Sequence, residues 1–524
     1  MDTASSATND GLVETIVVVG GGTAGWIAAA RIAAANRNQA NRITVKLVES
    51  AKIGTIGVGE GTWPTMRNTL AKIGLDEGDF IRRCDAAFKQ GAQFVGWTDG
   101  TPGDAYYHPL NPPAGSTEID LSSHWNDTQA SDANRDFAHW ADYQAGLCDA
   151  GLAPKSITTP QYAGHANYAY HLDAGKFATV LREHAVDRLG VDHIEGDVAR
   201  VLVADDGDID GVELSDGRIV RGDLFVDCTG FAALLIGGVY EIPFRRCNDV
   251  LFADRAIAMQ VPHATPDDPI ACHTIATAQD SGWVWDIGLW TRRGVGYVYS
   301  SAHVDDETAE RTLRRYVGAA AEPLATRKIN IDAGHRERFW ERNCVAIGLS
   351  AGFVEPLEAS ALMLVEASTD AIADRIPRTR AAMDMAARQF NATFQHHWVR
   401  IIEFLKLHYA LTKRTDTDFW RDHTAPSSLP DSLRERLAFW RDHPPAPGDF
   451  AHAREVFSWP SYQYVMHGMR FETSYPQIDA AAPAAATAAK WLRRSDKMGA
   501  ELGRQLPRHR ELLRAIREHG LPTI

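Results

Sequence analysis

The sequence predicts an α/β fold, elaborated with α+β segments, with three parts: a Rossmann-type βαβ unit, a lobe of mixed sheet and a helical C-terminal lobe. A β-branched strand runs into a glycine-rich turn and an alanine-rich helix near the N-terminus. Apolar and aromatic residues alternate through residues 250–302, and helical patterns dominate after residue 360. We therefore predict a domain over residues 1–375 and a mainly helical covering lobe over residues 376–524.

The N-terminal unit carries a dinucleotide-binding fingerprint. The strand Thr15–Val19 runs into the sequence GGGTAG, a helix follows over residues 26–35, and a second strand over residues 43–48 ends at Glu49. In such a unit the first glycines allow a tight turn and close approach to a pyrophosphate, and the last allows contact between helix and strand. Glu49 can accept a hydrogen bond from a ribose hydroxyl.

The chain order beyond this unit favours a large FAD-binding fold over a simple NAD dehydrogenase. A long excursion, which includes a second glycine-rich loop at residues 54–64, separates the βαβ unit from a return strand with the sequence GDLFVDCTG at residues 222–230. A dehydrogenase would usually complete its Rossmann sheet without such an excursion.

Composition limits the partners and the location. The chain of 524 residues can bury a large core, and its 45% hydrophobic and 23% charged residues are ordinary for a globular protein. The net charge of −14 argues against nucleic acid and anionic membranes as partners. Six scattered cysteines without a CxxC pair predict free thiols in a reducing compartment, with no disulfide frame and no metal site.

The N-terminal sequence has no basic stretch followed by an apolar core, so no signal peptide is predicted. Because no apolar run reaches membrane-spanning length, we expect a cytoplasmic protein. His396 and His397 are predicted to be partly exposed on a helix and not to bind a metal.

Residues 347–363, with the sequence IGLSAGFVEPLEASALM, contain two carboxylates in apolar surroundings. Pro356 is predicted to be the first helical residue, which places Glu355 at the cap and Glu358 in the first turn. Burial or hydrogen bonds could shift the pKa of either carboxylate so that it acts as an acid or a base in catalysis. First-turn acids are also favoured by the helix dipole alone, so the residues leave both interpretations open.

The sequence WVWDI in the middle lobe is predicted to be a strand, and alternation places Trp283, Trp285 and Ile287 on one face. Two tryptophans in this spacing either fill the core or form the wall of a large cavity.

Five motifs in order make the chain similar to the flavin-dependent tryptophan halogenases. They are GGGTAGW, GVGEGTWP, AFK at residues 87–89, WVWDI and GLSAGFVEPLEAS. The resemblance implies a flavin-monooxygenase-like FAD domain with a helical lobe over the halogenation site. It also implies that reduced FAD reacts with O₂ to a C4a-hydroperoxide, which oxidises chloride or bromide to hypohalous acid. That acid then travels through a tunnel to an electron-rich aromatic ring.

The resemblance assigns roles to particular residues. Lys89 matches the catalytic lysine, as a hydrogen-bond donor to hypohalous acid or as a haloamine. Glu358 matches the essential glutamate, and the amides near Ser360 and Ala361 match the halide site. The implied cofactor-binding positions are Gly20, Gly22, Thr23, Ala24, Gly25, Glu49, Val198, Leu349 and Leu362. The implied tunnel and substrate positions are His108, Leu110, Trp283, Trp285 and Ile287.

Three departures from tryptophan-specific members bear on the substrate. Gly288 replaces a proline after WVWDI, Ala359 replaces a serine after Glu358, and Leu110 replaces an aromatic residue after His108-Pro109. The expected substrate is therefore an indole-like aromatic: free tryptophan, indole, another aromatic or a larger or tethered molecule.

The chain shows no second dinucleotide fingerprint, which is consistent with a separate flavin reductase. We expect a monomer or homodimer. A flavin-dependent aromatic monooxygenase and a flavin-binding module without catalysis are the alternatives. Lys89, Glu358 and the tryptophan pair favour the halogenase, because hydroxylation does not require them.

Overall fold

In the computed structural model, helices and strands alternate up to residue 353, and helices dominate from Ser360 onward. The structure describes residues 11–39, 42–54, 59–129, 136–450, 455–474 and 483–523. The predicted α/β fold class is confirmed.

The elements are numbered in chain order. The strands are β1 (Thr15–Val19), β2 (Thr44–Glu49), β3 (Gly59–Gly61), β4 (Ala87–Lys89), β5 (Gly91–Val95), β6 (Ala105–Pro109), β7 (Ala169–Asp173), β8 (Asp192–Glu195), β9 (Val198–Val203), β10 (Ile209–Leu214), β11 (Ile219–Arg221), β12 (Leu224–Asp227), β13 (Phe244–Arg246), β14 (Arg255–Pro262), β15 (Thr274–Gln279), β16 (Gly282–Gly288), β17 (Arg292–Tyr299), β18 (Thr326–Asn330), β19 (Gly334–Arg336), β20 (Trp340–Glu341), β21 (Cys344–Ala346) and β22 (Gly352–Phe353). The helices are α1 (Thr23–Asn36), α2 (Thr65–Ile73), α3 (Glu77–Arg83), α4 (Ser122–Gln129), α5 (Phe137–Ala141), α6 (Gln144–Asp149), α7 (Ala174–Leu189), α8 (Asp306–Val317), α9 (Ser360–Ala373), α10 (Arg380–Ala410), α11 (Asp418–Thr424), α12 (Asp431–Phe439), α13 (Trp459–Gly468), α14 (Pro483–Gln505) and α15 (His509–His519).

A six-stranded sheet in the order β20-β21-β12-β1-β2-β8 contains the N-terminal unit. β1 lies parallel to β12 and β2, with Val18 opposite both Val226 and Leu47. Residues 16–19 are buried, as expected for a parallel strand covered on both faces. The predicted βαβ unit is confirmed, and β12 is the predicted return strand within GDLFVDCTG.

A seven-stranded sheet in the order β18-β14-β17-β16-β15-β5-β6 forms the middle lobe. Its pairs are antiparallel except for β15 and β5, which run parallel. The mixed sheet predicted for this lobe is therefore confirmed, and WVWDI lies in β16.

A small sheet in the order β3-β7-β4 connects the first two lobes. Gly61 and Ala87 both pair with His171 of the central strand, one on each side. This sheet brings the second glycine-rich loop next to the strand that ends in Lys89. Residues 55–58 of that loop lie outside the described residues.

The helical C-terminal lobe is confirmed, with the long helix α10 packed against α9, α11, α13 and β20. The last helix, α15, returns to α3 near the N-terminal end of the chain. The proposed boundary between residues 375 and 376 falls in the turn between α9 and α10 and stays a prediction. Within the described ranges, no helix combines the length and the apolar character needed to cross a membrane.

One local expectation is half wrong. His396 is partly exposed and lies 3.0 Å from Glu455, but His397 is buried in the same helix. The two neighbours differ because adjacent helical residues point about 100° apart, so only one of them faces the core. All six cysteines are free, as their spacing predicted, and the structure shows that all six are buried.

Candidate active site

The turn between β1 and α1 exposes backbone on its outer side. Gly20 has a φ of +113°, and a Cβ there would lie 2.2 Å from the carbonyl oxygen of Cys228. A Cβ on Gly25 would lie 1.8 Å from the carbonyl oxygen of Gly20, whereas one on Gly22 would meet nothing within 4 Å. Gly20 and Gly25 are thus required by the turn itself, and Gly22 keeps its outer side open for a ligand.

The N-terminus of α1 offers unpaired donors beside this open side. Gly22 is the N-cap and no side chain caps the helix, so its first amides are available to an anion. The Oγ1 of Thr23 is buried without a hydrogen-bond partner among the described residues. Glu49 ends β2 with its carboxylate 3.1 Å from Nε2 of His193. This arrangement fits the pyrophosphate and ribose of a dinucleotide such as FAD.

Ala24 and Leu349, both predicted to contact the cofactor, come together in the structure. A Cβ on Gly348 would lie 2.8 Å from the Cβ of Ala24, so the turn at Gly348–Ser350 abuts the start of α1. Leu362 is buried in α9, which packs on α1. Leu349 and Leu362 therefore belong to segments that pack against α1, the helix that contains Ala24.

Val198, another predicted cofactor position, is connected to the predicted nucleotide-binding site only through neighbouring residues. It begins β9 and is half-buried, and the carboxylate of the preceding Asp197 accepts a hydrogen bond from Oγ of Ser50 at 2.5 Å. Because Ser50 follows Glu49, the start of β9 lies near the acid end of β2.

Lys89 ends β4 with its ammonium buried. Its Nζ donates to the carbonyl oxygen of Thr62 at 3.2 Å. A Cβ on Gly61 would lie 3.6 Å from this Nζ and 3.3 Å from the Cβ of Ala359, so three distant chain segments meet here. Burial lowers the pKa of Lys89 to about 8, and the negative charge of Glu358 partly opposes that shift.

Two histidines hold one oxygen of the Glu358 carboxylate. Oε1 of Glu358 lies 2.9 Å from Nδ1 of His108 and 3.1 Å from Nε2 of His408. The contact with His408 has the poorer hydrogen-bond geometry of the two. The hydroxyl of Tyr106 lies 2.8 Å from Nδ1 of His408. With Tyr106 as donor there, His408 carries its proton on Nε2, which faces the Glu358 carboxylate at 3.1 Å but outside the geometry of a normal hydrogen bond.

Burial by itself would raise the pKa of Glu358. The charge and hydrogen bond of His108, together with those of His408, outweigh burial and hold this pKa well below its usual range. Burial in turn lowers the pKa of His408. The site therefore keeps a carboxylate ionised in the protein interior.

The predicted helix start at Pro356 is wrong, because α9 begins at Ser360. Ala359, the N-cap, has a φ of +54°, and the indole N–H of Trp63 donates to the carbonyl oxygen of Glu358 at 2.8 Å. The left-handed residue and this tertiary hydrogen bond keep Glu358 out of the helix, so it precedes the first turn.

The predicted halide positions are the first two residues of α9. No side chain caps this helix, so the amides of Ser360 and Ala361 are oriented to donate to an anion. Ser360 is buried, whereas the Ala361 side chain is exposed.

Glu355 has different partners. Its Oε2 accepts from the indole N–H of Trp283 and from the hydroxyl of Tyr409, both at 2.7 Å. Its Oε1 is buried without a partner among the described residues. Burial raises the pKa of Glu355 to about 7, although both hydrogen bonds and the charge of Lys406 act in the opposite direction.

The predicted tunnel residues are buried together on β16. The rings of Trp283 and Trp285 lie 6.5 Å apart in an edge-on arrangement. A Cβ on Gly59 would lie 2.8 Å from Cδ1 of Ile287, so this strand packs on the second glycine-rich loop.

On the other side, the ring of His108 lies 5.9 Å from Phe404 and 6.2 Å from Tyr464. Leu110 is half-buried, and its N–H donates to the carbonyl oxygen of Gln90 at 3.1 Å. Both predicted substrate residues thus lie close to the chain segment of Lys89.

Sequence reasoning missed Tyr106, Trp63 and His408. Alternation along β6 places Tyr106 on the same face as His108, and this signal could have found it. Nothing local marks His408, which lies within a long helix.

The fold and site define a class: enzymes with a Rossmann-type cofactor cradle and a buried lysine–carboxylate site beside it. The tryptophan halogenase family model matches residues 15–484. The structure of a tryptophan halogenase from Shewanella frigidimarina is 43% identical, with a TM-score of 0.94 over 98% of this chain and 99% of that one. The flavin-dependent halogenase BrvH from Brevundimonas sp. is 32% identical, with a TM-score of 0.83 over 96% of this chain and 99% of that one.

Among characterised relatives, the 7-chloro-L-tryptophan 6-halogenase KtzR from Kutzneria sp. is 35% identical. That match covers 82% of this chain and 85% of the relative. The chain therefore belongs to the tryptophan halogenase family, and it is a flavin-dependent halogenase.

Proposed function

We propose that this protein uses FADH₂ and O₂ to halogenate an indole-like aromatic ring. The observation that carries the proposal is the meeting of the Lys89 ammonium and the Glu358 carboxylate in one buried site, with a pKa of Lys89 lowered to about 8. The Lys89 Nζ makes one hydrogen bond, to Thr62, and the two histidines contact one oxygen of Glu358.

The glycine turn, Thr23 and Glu49 would hold the FAD pyrophosphate and ribose. When bound, reduced FAD together with O₂ supplies the oxidising power that converts chloride or bromide to hypohalous acid. The uncapped amides of Ser360 and Ala361 would bind the halide beforehand.

Lys89 would hold hypohalous acid by donating a hydrogen bond to it. Its Nζ has three N–H donors, of which one is used by the carbonyl oxygen of Thr62. The pKa of about 8 leaves the group mainly protonated at neutral pH.

Glu358 would stabilise the cationic ring that forms when the halogen adds, and then accept its proton. The two histidines hold Oε1, so Oε2 is the oxygen available to the substrate. A carboxylate that stays ionised in a buried site interacts strongly with a developing positive charge. The positive charge is formed only after halogen transfer, so this interaction favours the reaction intermediate over the bound substrate.

The tryptophan pair would keep the organic substrate away from the flavin while hypohalous acid passes. Glu355 supports this barrier by holding the indole N–H of Trp283. In the proposal the oxidant therefore reaches the aromatic ring only after it has reacted with halide.

The ring is proposed to be indole-like because the characterised relatives are named for tryptophan. Leu110 and Ala359 replace residues typical of the tryptophan-specific members, so indole and larger or tethered indoles are included. A separate flavin reductase would supply FADH₂ to a monomer or homodimer. The six free thiols support a cytoplasmic location.

Product mass spectrometry tests the proposal. The protein is supplied with FAD, a flavin reductase, NADH and O₂, and with bromide or chloride, against a panel of indoles and phenols. We expect a halide-dependent product with the bromine isotope doublet, and none from Lys89→Ala. An oxygenated product that forms without halide would support the monooxygenase instead.

A further inference from the structure

A second cluster of side chains that can ligate a metal lies close to the end of β4, the strand that carries Lys89. Cys148 belongs to α6, and Cys272 and His273 directly precede β15. One sulfur or ring nitrogen atom from each lies within 4.8 Å of the others, and all three residues are buried. Thiolate and imidazole are the donors that zinc prefers in proteins.

The three side chains interact with one another, since the Cys272 thiol contacts both the Cys148 thiol and the side chain of His273. Nδ1 of His273 makes no hydrogen bond of normal geometry among the described residues. The Sγ of Cys272 reaches the carbonyl oxygen of Cys148 at 3.9 Å, which is a weak contact for a thiol. A buried polar group without a well-formed hydrogen bond is costly, and a bound cation would remove that cost.

We propose that Cys148, Cys272 and His273 bind one thiophilic divalent cation, with Zn²⁺ as the ion that fits best. Binding releases the two thiol protons, and two thiolates, a neutral imidazole and a 2+ ion form a complex without net charge. Sulfurs on a tetrahedral Zn²⁺ lie roughly 3.8 Å apart, which the spacing here allows. A water molecule takes the fourth position.

An acidic cleft of about 980 Å³ lies next to Cys148 on the surface of α6. It is lined by Leu147 and Asp149, the residues on either side of Cys148. Its charged lining residues are Asp136, Asp142, Asp149, Asp496 and Glu511, against Arg508 and His139. Such an excess of acids raises the local concentration of cations.

The ion would brace the backbone beside Lys89. The N–H of Gln90 donates to the carbonyl oxygen of Cys272 at 2.7 Å, and Nε2 of Gln90 donates to the carbonyl oxygen of Leu152 at 2.8 Å. Leu152 follows Cys148 closely in the chain. One ion therefore links both segments that hold Gln90, and its binding stabilises the end of β4.

Cobalt titration of the full chain tests the site. The protein is stripped of metal with a chelator under reducing conditions, and Co²⁺ is added while the near-ultraviolet thiolate-to-cobalt absorption is recorded. We expect the band to saturate at one equivalent and Zn²⁺ to abolish it. Zn²⁺ alone should raise the melting temperature of the stripped protein by several degrees.

Three variants assign the ligands. Cys148→Ser and Cys272→Ser should lose the band and the stabilisation by Zn²⁺, whereas Cys247→Ser, which removes a buried thiol elsewhere, should keep both. The folded wild-type protein decides the question even where a serine variant fails to fold. Absence of the thiolate band in that protein, or its survival in a folded Cys272→Ser variant, overturns the proposal.

Discussion

Glu355 and Glu358 lie three residues apart in one buried turn, yet their surroundings drive them to opposite states. Burial raises the pKa of Glu355 to about 7, whereas His108 and His408 hold that of Glu358 well below its usual range. Burial is common to both, so the partners make the difference. Neutral indole and hydroxyl donors do not compensate for burial at Glu355, whereas the charge and hydrogen bond of His108, with a smaller contribution from His408, do so at Glu358.

The comparison shows which carboxylate can act on a substrate. Glu355 has both its hydrogen bonds on one oxygen and serves Trp283 and Tyr409. Glu358 is ionised, lies near the Lys89 ammonium and has an oxygen that the histidines do not use. We therefore expect substitutions around Glu358 to change catalysis and those at Glu355 to change mainly stability.

The largest effect is expected from Glu358→Gln. Removing the charge should lower the halogenation rate by at least about a hundredfold, since it removes both the proton acceptor and the stabilising anion. Product formation under saturating halide measures the rate, and thermal unfolding reports the fold. Near-normal turnover, or loss of the fold, would contradict the catalytic role.

The pH dependence of turnover should report the protonation state of Lys89. If the ammonium holds hypohalous acid, the rate falls about tenfold per pH unit once the pH exceeds the Lys89 pKa of about 8. Peroxide release from the flavin, measured in parallel, controls for effects on the flavin chemistry. A rate that rises to a plateau above this pH would show that the neutral amine is the reacting form.

A smaller loss is expected from His408→Phe, which removes one donor to Oε1 of Glu358. A hydrogen bond to a charged group contributes about 1.5–3 kcal/mol, and this contact is poorly aligned, so we expect an effect at the lower end of that range, roughly a tenfold loss of turnover. The pKa of Glu358 should rise, which moves the acid limb of the pH–rate profile upward. His408→Gln, which keeps an N–H donor, should recover part of the rate; equal losses in both variants would argue for simple packing.

The smallest effect on turnover is expected from Glu355→Gln, within about threefold, because the amide oxygen can still accept from Trp283. The folded-state pKa of Glu355 is raised from 4.5 to about 7, so its contribution to stability is present below pH 4.5 and lost as the pH rises through 7.

In the Glu355→Gln variant, the side chain at position 355 does not titrate. The variant's free energy of unfolding relative to wild type should therefore rise by about 3 kcal/mol between these two pH values and then level off. Urea unfolding over this pH range measures the difference. A difference independent of pH would show that Glu355 is ionised in the folded protein across the range.

Some backbone conformations can be formed by only a few residue types, so the sequence indicates them directly. The βαβ unit was predictable because a parallel strand needs β-branched residues, and because only glycine tolerates the close contacts found at Gly20 and Gly25. The mixed sheet and the helical lobe followed from similar short patterns, whereas the roles of Lys89 and Glu358 were implied only by the resemblance to the halogenases. The positions of the tryptophan pair on one strand face were also predictable from a short pattern.

Only the tertiary structure decided what each group touches. His108 and Glu358 are 250 positions apart, and no local pattern joins them. The start of α9 depends on the indole of Trp63, which comes from a different lobe, so Pro356 was a misleading signal. Cys148, Cys272 and His273 meet because the strands and helices around Lys89 pack together. The chemistry of the site thus belongs to contacts between distant segments, which packing creates and sequence spacing does not record.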